Sequence, residues 1–176
     1  GFILEKAEIA GNVLCPRYYD PLAKEELVGL KDTHNLPLFG KLVEDGVLSV
    51  ATGDEIGKLA YGTGDIPFIR TSDISNMEIK ADPKHSVSQE IYYPLKLKQD
   101  VRPGDVLMVK DGTYLIGTCA IITEHDREML YQSHLYKIRV QANKLGLNPY
   151  LLLAILSSTE VQKQIRSKQY TQDIID

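Results

Sequence analysis

From residue 66 to residue 140 the chain alternates short runs of branched apolar residues with polar turns. Residues 66–69, 106–109, 118–123 and 135–140 are rich in β-branched or aromatic side chains and are predicted to be strands. Pro103-Gly104-Asp105 and Asp111-Gly112 are turn signals, because proline fixes φ and glycine accepts a positive φ. Earlier, Leu22, Leu27 and Leu30 are spaced for one helix face, and so are Leu38, Leu42 and Val43; this predicts two helical pieces over 22–45, stopped at Asp45-Gly46. Gly53, Gly57, Gly62 and Gly64 make 47–65 a run of turns. Residues 76–100 mix charge with Tyr92 and Tyr93 and read as an irregular excursion with a short edge strand. Pro16 and Pro21 keep the first 20 residues extended. A helix closes the chain: Asn148 caps it, Pro149 suits its first turn, and Leu151, Leu152, Ile155, Leu156, Val161 and Ile165 form its apolar stripe.

Composition narrows the classes. A chain of 176 residues, 43% hydrophobic, suits one domain with a real core. It contains no apolar run of the length a membrane helix needs, and residues 1–10 lack the basic start and apolar stretch of a signal peptide. The first residue is not Met and the last three are Ile174-Ile175-Asp176, so the chain reads as a piece of something longer. Cys15 and Cys119 allow one disulfide, but their sparseness favours a reduced, cytoplasmic protein. No Cys or His spacing suggests zinc; His34, His85, His125 and His134 are scattered and read as surface or hydrogen-bonded groups.

The net charge of −4 counts against a protein that holds DNA unaided. Charge is uneven, however. From His134 to Tyr170 the cations Lys137, Arg139, Lys144, Lys163, Arg166 and Lys168 face one anion, Glu160, a net +5 that leaves −9 elsewhere. This is either a solvated helix face or one basic surface on an acidic body.

Catalytic motifs are missing. Gly53-Asp54-Glu55-Ile56-Gly57-Lys58 lacks the Gly-Lys-Ser/Thr ending of a P-loop. Asn148-Pro149-Tyr150 lacks the second proline of the Asn-Pro-Pro-Tyr loop of adenine methyltransferases, and no glycine-rich loop follows a strand to hold a methyl donor. Asp65, Asp73, Asp105 and Asp111 stand near strand ends, where carboxylates can bind Mg²⁺ or move protons, but local turn capping accounts for all four. Ser133 and His134 are adjacent, and neighbours on a strand face opposite sides, so they do not make a nucleophile and its base. Binding candidates are clearer. The 111–114 turn presents Lys110, Thr113 and Tyr114; the first strand ends in Arg70, Thr71 and Ser72, with an Arg70 pair to Asp73 or Asp65 as the plain alternative. Lys58 lies in the glycine-rich turns, and Lys168, Tyr170 and Gln172 end the last helix, where simple fraying is the alternative. Lysines suit phosphates; Thr, Tyr and Gln suit base edges.

Gly64 to Ile74, running Gly-x-Ile-Pro-Phe-Ile-Arg-x-x-Asp-Ile, together with Gly104 to Leu107, the turn and strand from Asp111 to Ile121, and Tyr170-Thr171-Gln172, resembles the target recognition domain of type I restriction–modification specificity (S) subunits and of fused N6-adenine methyltransferase–specificity proteins. The likeness covers 53–176; residues 1–52, with Pro16-Arg17-Tyr18-Tyr19-Asp20-Pro21, look like a junction to a methyltransferase domain, which favours the fused form. The resemblance implies an α+β fold: a mixed, curved β-sheet with flanking helices, lying along the major groove and reading half of a bipartite site. It implies no catalysis in this chain and no cofactor of its own. A companion methyltransferase domain or subunit would bind S-adenosylmethionine and flip the adenine, with a restriction subunit as a further partner and no membrane. Two other classes stay open. One is a protein-interaction module docking through tyrosines and the last helix. The other is an enzyme using Asp73 and Asp111 on a small polar substrate.

Overall fold

A computed structural model describes residues 3–9, 16–126 and 128–169. In chain order the elements are α1 (Leu22–Lys31), α2 (Phe39–Glu44), β1 (Leu48–Thr52), β2 (Phe68–Ile69), β3 (Ile74–Ser75), β4 (Glu78–Ile79), α3 (Gln89–Gln99), β5 (Val106–Val109), β6 (Cys119–Ile121), β7 (Leu130–Tyr131), β8 (Leu135–Val140), α4 (Pro149–Ser157) and α5 (Thr159–Ser167). The fold is α+β. Its main sheet has the order β1-β8-β5-β6, with antiparallel pairing between its strands; parallel pairing occurs between β2 and β7 and at the isolated bridges Asp54–Gln132 and Met77–Ala120.

Side chains alternate across a strand, so each strand feeds two faces. Leu107, Val109, Ala120 and Leu135 pack on one side of the sheet with Ile69, Ile74 and Tyr131. Val106, Cys119 and Ile138 pack on the other with Leu48 and with Leu152, Leu153 and Leu156 of α4. Both faces are covered, which is why β5 reads Val-Leu-Met-Val without a polar residue. A third cluster joins Phe68, Val87, Tyr92 and Leu130 beside α3.

The expected elements are largely present, with instructive differences. Strands β5 and β8 have the expected bounds, whereas β2 and β6 are shorter than 66–69 and 118–123. Residues 48–52 are not turns but β1, paired along its whole length with β8, so the main sheet takes in residues on both sides of position 52. In the 76–100 stretch the expected short strand is present as β4, but the rest is not irregular: it holds α3. Pro94 lies inside α3. A proline there removes one helical hydrogen bond and obscures the pattern, and tertiary contacts at the helix end offset it. Residues 16–19 form a 3-10 turn rather than an extended run. Leu38 lies outside α2 and is 78% exposed, while Leu42 and Val43 pack inward as expected.

The closing helix is broken. Asn148 caps α4 through Leu151 N–H at 2.9 Å, with Pro149 in the first turn. The chain then turns extended at Ser158, whose hydroxyl accepts from Val161 N–H at the start of α5. The stripe is also rotated: Leu152, Leu153 and Leu156 are buried, while Leu151 and Ile155 are exposed.

One buried polar network locks α3 to the sheet. The Gln99 side chain imitates a strand, accepting from Tyr131 N–H at 2.9 Å and donating to the Tyr131 carbonyl at 3.0 Å. Lys137 donates to the last carbonyls of this helix, at Gln99 and Asp100, where a cation complements the helix dipole. Arg139 grips both oxygens of Asp105, and Asp100 as well. Lys137 and Arg139 therefore face inward, which corrects the reading of 134–170 as one basic surface. Tyr131 is fully buried, yet its hydroxyl has no hydrogen-bond partner among the described residues. Tyr131→Phe is expected to raise stability by about 1 kcal/mol, since an unpaired buried hydroxyl costs ~1–3 kcal/mol. Urea denaturation checks this; a clear loss of stability would show that the hydroxyl is bonded.

Candidate nucleic-acid interface

The topology gathers strand ends at one edge. β5 runs antiparallel to β8, so Val109 lies opposite Leu135, and Lys110 N–H donates to the His134 carbonyl at 2.9 Å. β2 runs parallel to β7, so both end together, and Gln132 N–H donates to the Ile69 carbonyl at 2.9 Å. β1 ends beside the start of β8, which brings Asp54 and Glu55 to the same place, with Asp54 N–H on the Tyr131 carbonyl at 3.1 Å. The 110–114 and 70–72 turns, remote in sequence, thus flank the 132–134 turn.

Local chemistry shapes each turn. Asp73 accepts from Arg70 N–H at 2.8 Å and closes a 3-10 turn over Thr71–Asp73, which is the capping expected of it. Arg70 is half-buried; its Nη2 reaches Ser72 Oγ at 3.2 Å and its Nε lies 4.0 Å from Asp73. Thr71 is half-buried and Ser72 exposed. Asp105 likewise accepts from Arg102 N–H at 2.9 Å. Asp111 does more than cap. It pairs with Lys110 at 3.1 Å and accepts from His134 Nδ1. Burial pushes its carboxyl up, but the hydrogen bonds from His134 and Lys110 outweigh burial and hold it below the ordinary range. Lys110 Nζ also lies 5.7 Å from the centre of the Tyr136 ring. The Thr113 hydroxyl oxygen accepts from Leu115 N–H at 3.2 Å, leaving its O–H free to donate outward. Tyr114 is 80% exposed.

Sequence reasoning overlooked the middle of this edge. Ser133 and His134 lie in a turn, not on a strand, and both approach Glu55: the Ser133 hydroxyl donates to its carboxylate, and His134 Nε2 stands 3.9 Å away. Gln132 is half-buried beside them. The opposite-faces argument failed because it assumed an uninterrupted strand. Burial pushes the neighbouring Asp54 carboxyl up, and hydrogen bonds from Lys98 and Gln99 more than reverse this.

Other expected contacts lie elsewhere. Lys58 is exposed in a 3-10 turn three residues beyond Glu55. Lys168 sits with its Nζ 3.5 Å from the centre of the Tyr18 ring, against the 16–19 turn. Tyr170 and Gln172 lie outside the described residues. Cys119 is buried and its thiol is pushed up to about 12, so it is inert. Among the described residues no three His, Cys, Asp or Glu side chains converge to hold a metal ion, and no helix is long and apolar enough to cross a membrane.

Neither the family models nor the curated proteins contain a match to this sequence. Solved structures do match. A chain of the type I R-M system, from work on its complex assembly and conformational transition, is 18% identical with a TM-score of 0.50; the match covers 88% of this chain and 36% of that one. The HsdS subunit from Thermoanaerobacter tengcongensis is 17% identical with a TM-score of 0.50, over 89% of this chain and 39% of its own. This chain thus spans little more than a third of their length. It has the fold of a target recognition domain, as found within the specificity subunit HsdS of type I restriction–modification systems.

Proposed function

We propose that this chain reads the sequence of duplex DNA for a restriction–modification system and directs adenine methylation by a companion methyltransferase domain or subunit. The observation that carries the reading is the shared edge: two turns rich in cations and hydroxyls, 70–72 and 110–114, flank the 132–134 turn at one end of an HsdS-like fold. Methyl transfer belongs to the companion, which would bind S-adenosylmethionine, because Asn148 here is engaged as a helix cap.

The edge favours base reading over charge neutralisation. Asp111 stands beside Lys110 and Glu55 beside His134, so phosphates gain little there, whereas amino groups of cytosine or adenine meet acceptors. Lys58 and Arg70 are the phosphate candidates of this chain. Companion subunits supply the rest, which reconciles the role with a net charge of −4.

The test is duplex binding by the intact polypeptide with its natural companions, followed over a salt titration, alongside mapping of methylated sites in a host. Arg70→Ala and Lys58→Ala are each expected to flatten the salt slope by about one unit, whereas Lys110→Ala is expected to leave it nearly unchanged. Thr113→Ala and Tyr114→Ala are expected to cost ~1–3 kcal/mol and to relax one position of the site. Absence of salt-dependent duplex binding by the wild type would sink the reading.

A docking role for α4 has its own observation. Tyr150, Leu151 and Ile155 are exposed on this helix, at 72%, 44% and 43%. An apolar outer face on a surface helix is what a partner subunit would cover. This reading stands beside DNA recognition and replaces it only if duplex binding fails.

A further inference from the structure

The 132–134 turn has no role in the function proposed above, yet it hydrogen-bonds Ile69, Lys110, Asp111 and Glu55. We infer that His134 is the positioning residue of the 110–117 hairpin, holding it at the angle from which Thr113 and Tyr114 are presented. The specificity part of this inference rests on the DNA-reading function; the mechanical part does not.

Four contacts converge on this one residue. A carboxylate can only accept, so His134 Nδ1 carries the proton and donates to Asp111, the hairpin's own acid. Its carbonyl accepts from Lys110 N–H at 2.9 Å, at the point where the hairpin leaves β5. Its ring lies against Gly112, where a Cβ would stand 3.2 Å from Nδ1 and where φ is +77°. On the far side, Nε2 is 3.9 Å from Glu55, whose carboxylate also holds Ser133. The ring thus lies between two carboxylates on separate segments, and its hydrogen bond to Asp111 is what clamps it to the hairpin.

Elsewhere the hairpin is tied toward its return. Gly117 N–H donates to the Val109 carbonyl at 2.9 Å, and Gln162 donates to the Gly117 carbonyl at 2.8 Å. Between these anchors Leu115 N–H donates to Thr113 Oγ, the Leu115 carbonyl accepts from Thr118 N–H at 2.9 Å, and the Leu115 side chain packs on the core, all on the return side of Thr113 and Tyr114. Loss of His134 would therefore free the side that carries Thr113 and Tyr114 and leave the return in place.

Two measurements on the intact polypeptide test this. The first is amide hydrogen exchange, comparing 110–117 with the strands at 106–109 and 135–140. His134→Ala is expected to speed exchange in the hairpin about tenfold, the worth of one charge-assisted bond, with strand amides unchanged. His134→Asn, whose side-chain N–H occupies the place of Nδ1–H, is expected to restore most of the protection. The second is base preference by methylation-site mapping: His134→Ala is expected to lose about tenfold discrimination at one position, while non-specific duplex affinity holds. Unchanged hairpin exchange in His134→Ala would overturn the inference. So would equal acceleration in the strands, which would mark a general structural role, or failure of His134→Asn to restore protection. If the wild type shows no sequence preference, the DNA reading falls, and the exchange measurement alone decides the clamp.

Discussion

Arg139→Met is expected to cost about 3–5 kcal/mol of folding stability, the usual penalty for stranding one member of a buried ion pair. Asp105 is 1% exposed, and Arg139 meets both its oxygens, at 2.6 and 2.8 Å. Without the guanidinium, the Asp105 carboxylate would retain the Arg102 N–H at 2.9 Å and Lys137 at 3.9 Å. Those contacts do not replace a bidentate partner. Urea denaturation measures the loss. The double variant Arg139→Met, Asp105→Leu is expected to lose less than the two single variants added together, because it removes the stranded charge along with its partner. A cost under about 1 kcal/mol for Arg139→Met would mean that the pair is solvated.

The same network sets an acid limit. Hydrogen bonds from Arg102 and then Arg139 hold the Asp100 carboxyl at about 2, below its ordinary 3.8. A carboxyl depressed by folding contributes fully above its unfolded value and loses that contribution as pH falls through the folded one. The wild type should therefore keep the Asp100 contribution down toward pH 3.8 and lose it on the way to about 2. Arg139→Met removes one of the two hydrogen bonds, so its acid midpoint should shift upward.

Gly53→Ala is expected to be the next most damaging change, at about 3 kcal/mol or more, the upper end of overpacking penalties. A Cβ at residue 53 would lie 2.0 Å from the Tyr131 carbonyl oxygen and 2.6 Å from that of Gln132. Both atoms are backbone, so no side chain can swing clear. The chain would have to withdraw from β7, and the bond from Asp54 N–H to the Tyr131 carbonyl would go with it. Because Asp54 and Glu55 hang from this approach, the binding edge should loosen too. Thermal unfolding tests the first effect and exchange in the 132–134 turn the second. Gly57→Ala is the control, since nothing lies within 4 Å of a Cβ there; wild-type stability in Gly53→Ala would show that the close approach does not exist.

Gly53 marks the boundary between what could and could not be read in advance. It is one of several glycines in a stretch that signals turns, and only its approach to Tyr131 separates it from Gly57. The site divides in the same way. The 110–114 and 70–72 turns were legible because turn chemistry is local: Asp-Gly bends the chain, and Asp73 caps its own loop. The adjacency of those turns depends on β2 pairing parallel with β7, across sixty residues, which no local signal encodes. Glu55 and His134 joined the site through the pairing of β8 with β1 and β5 and carry no mark of it in their own neighbourhoods.

The chain's own pattern was enough for β5, β8 and the Asn148 cap, since alternation, branching and capping act within a few residues; the α+β class came from the resemblance. Tertiary structure alone decided that Leu48–Thr52 is a strand, that 89–99 is a helix despite Pro94, and that Lys137 and Arg139 turn inward. In each case the deciding partner is far away: Leu48 needs Val140, the end of α3 needs Tyr131, and Arg139 needs Asp105. Burial and charge pairing are energies of the assembled core, and they override local preference wherever the local preference is weak.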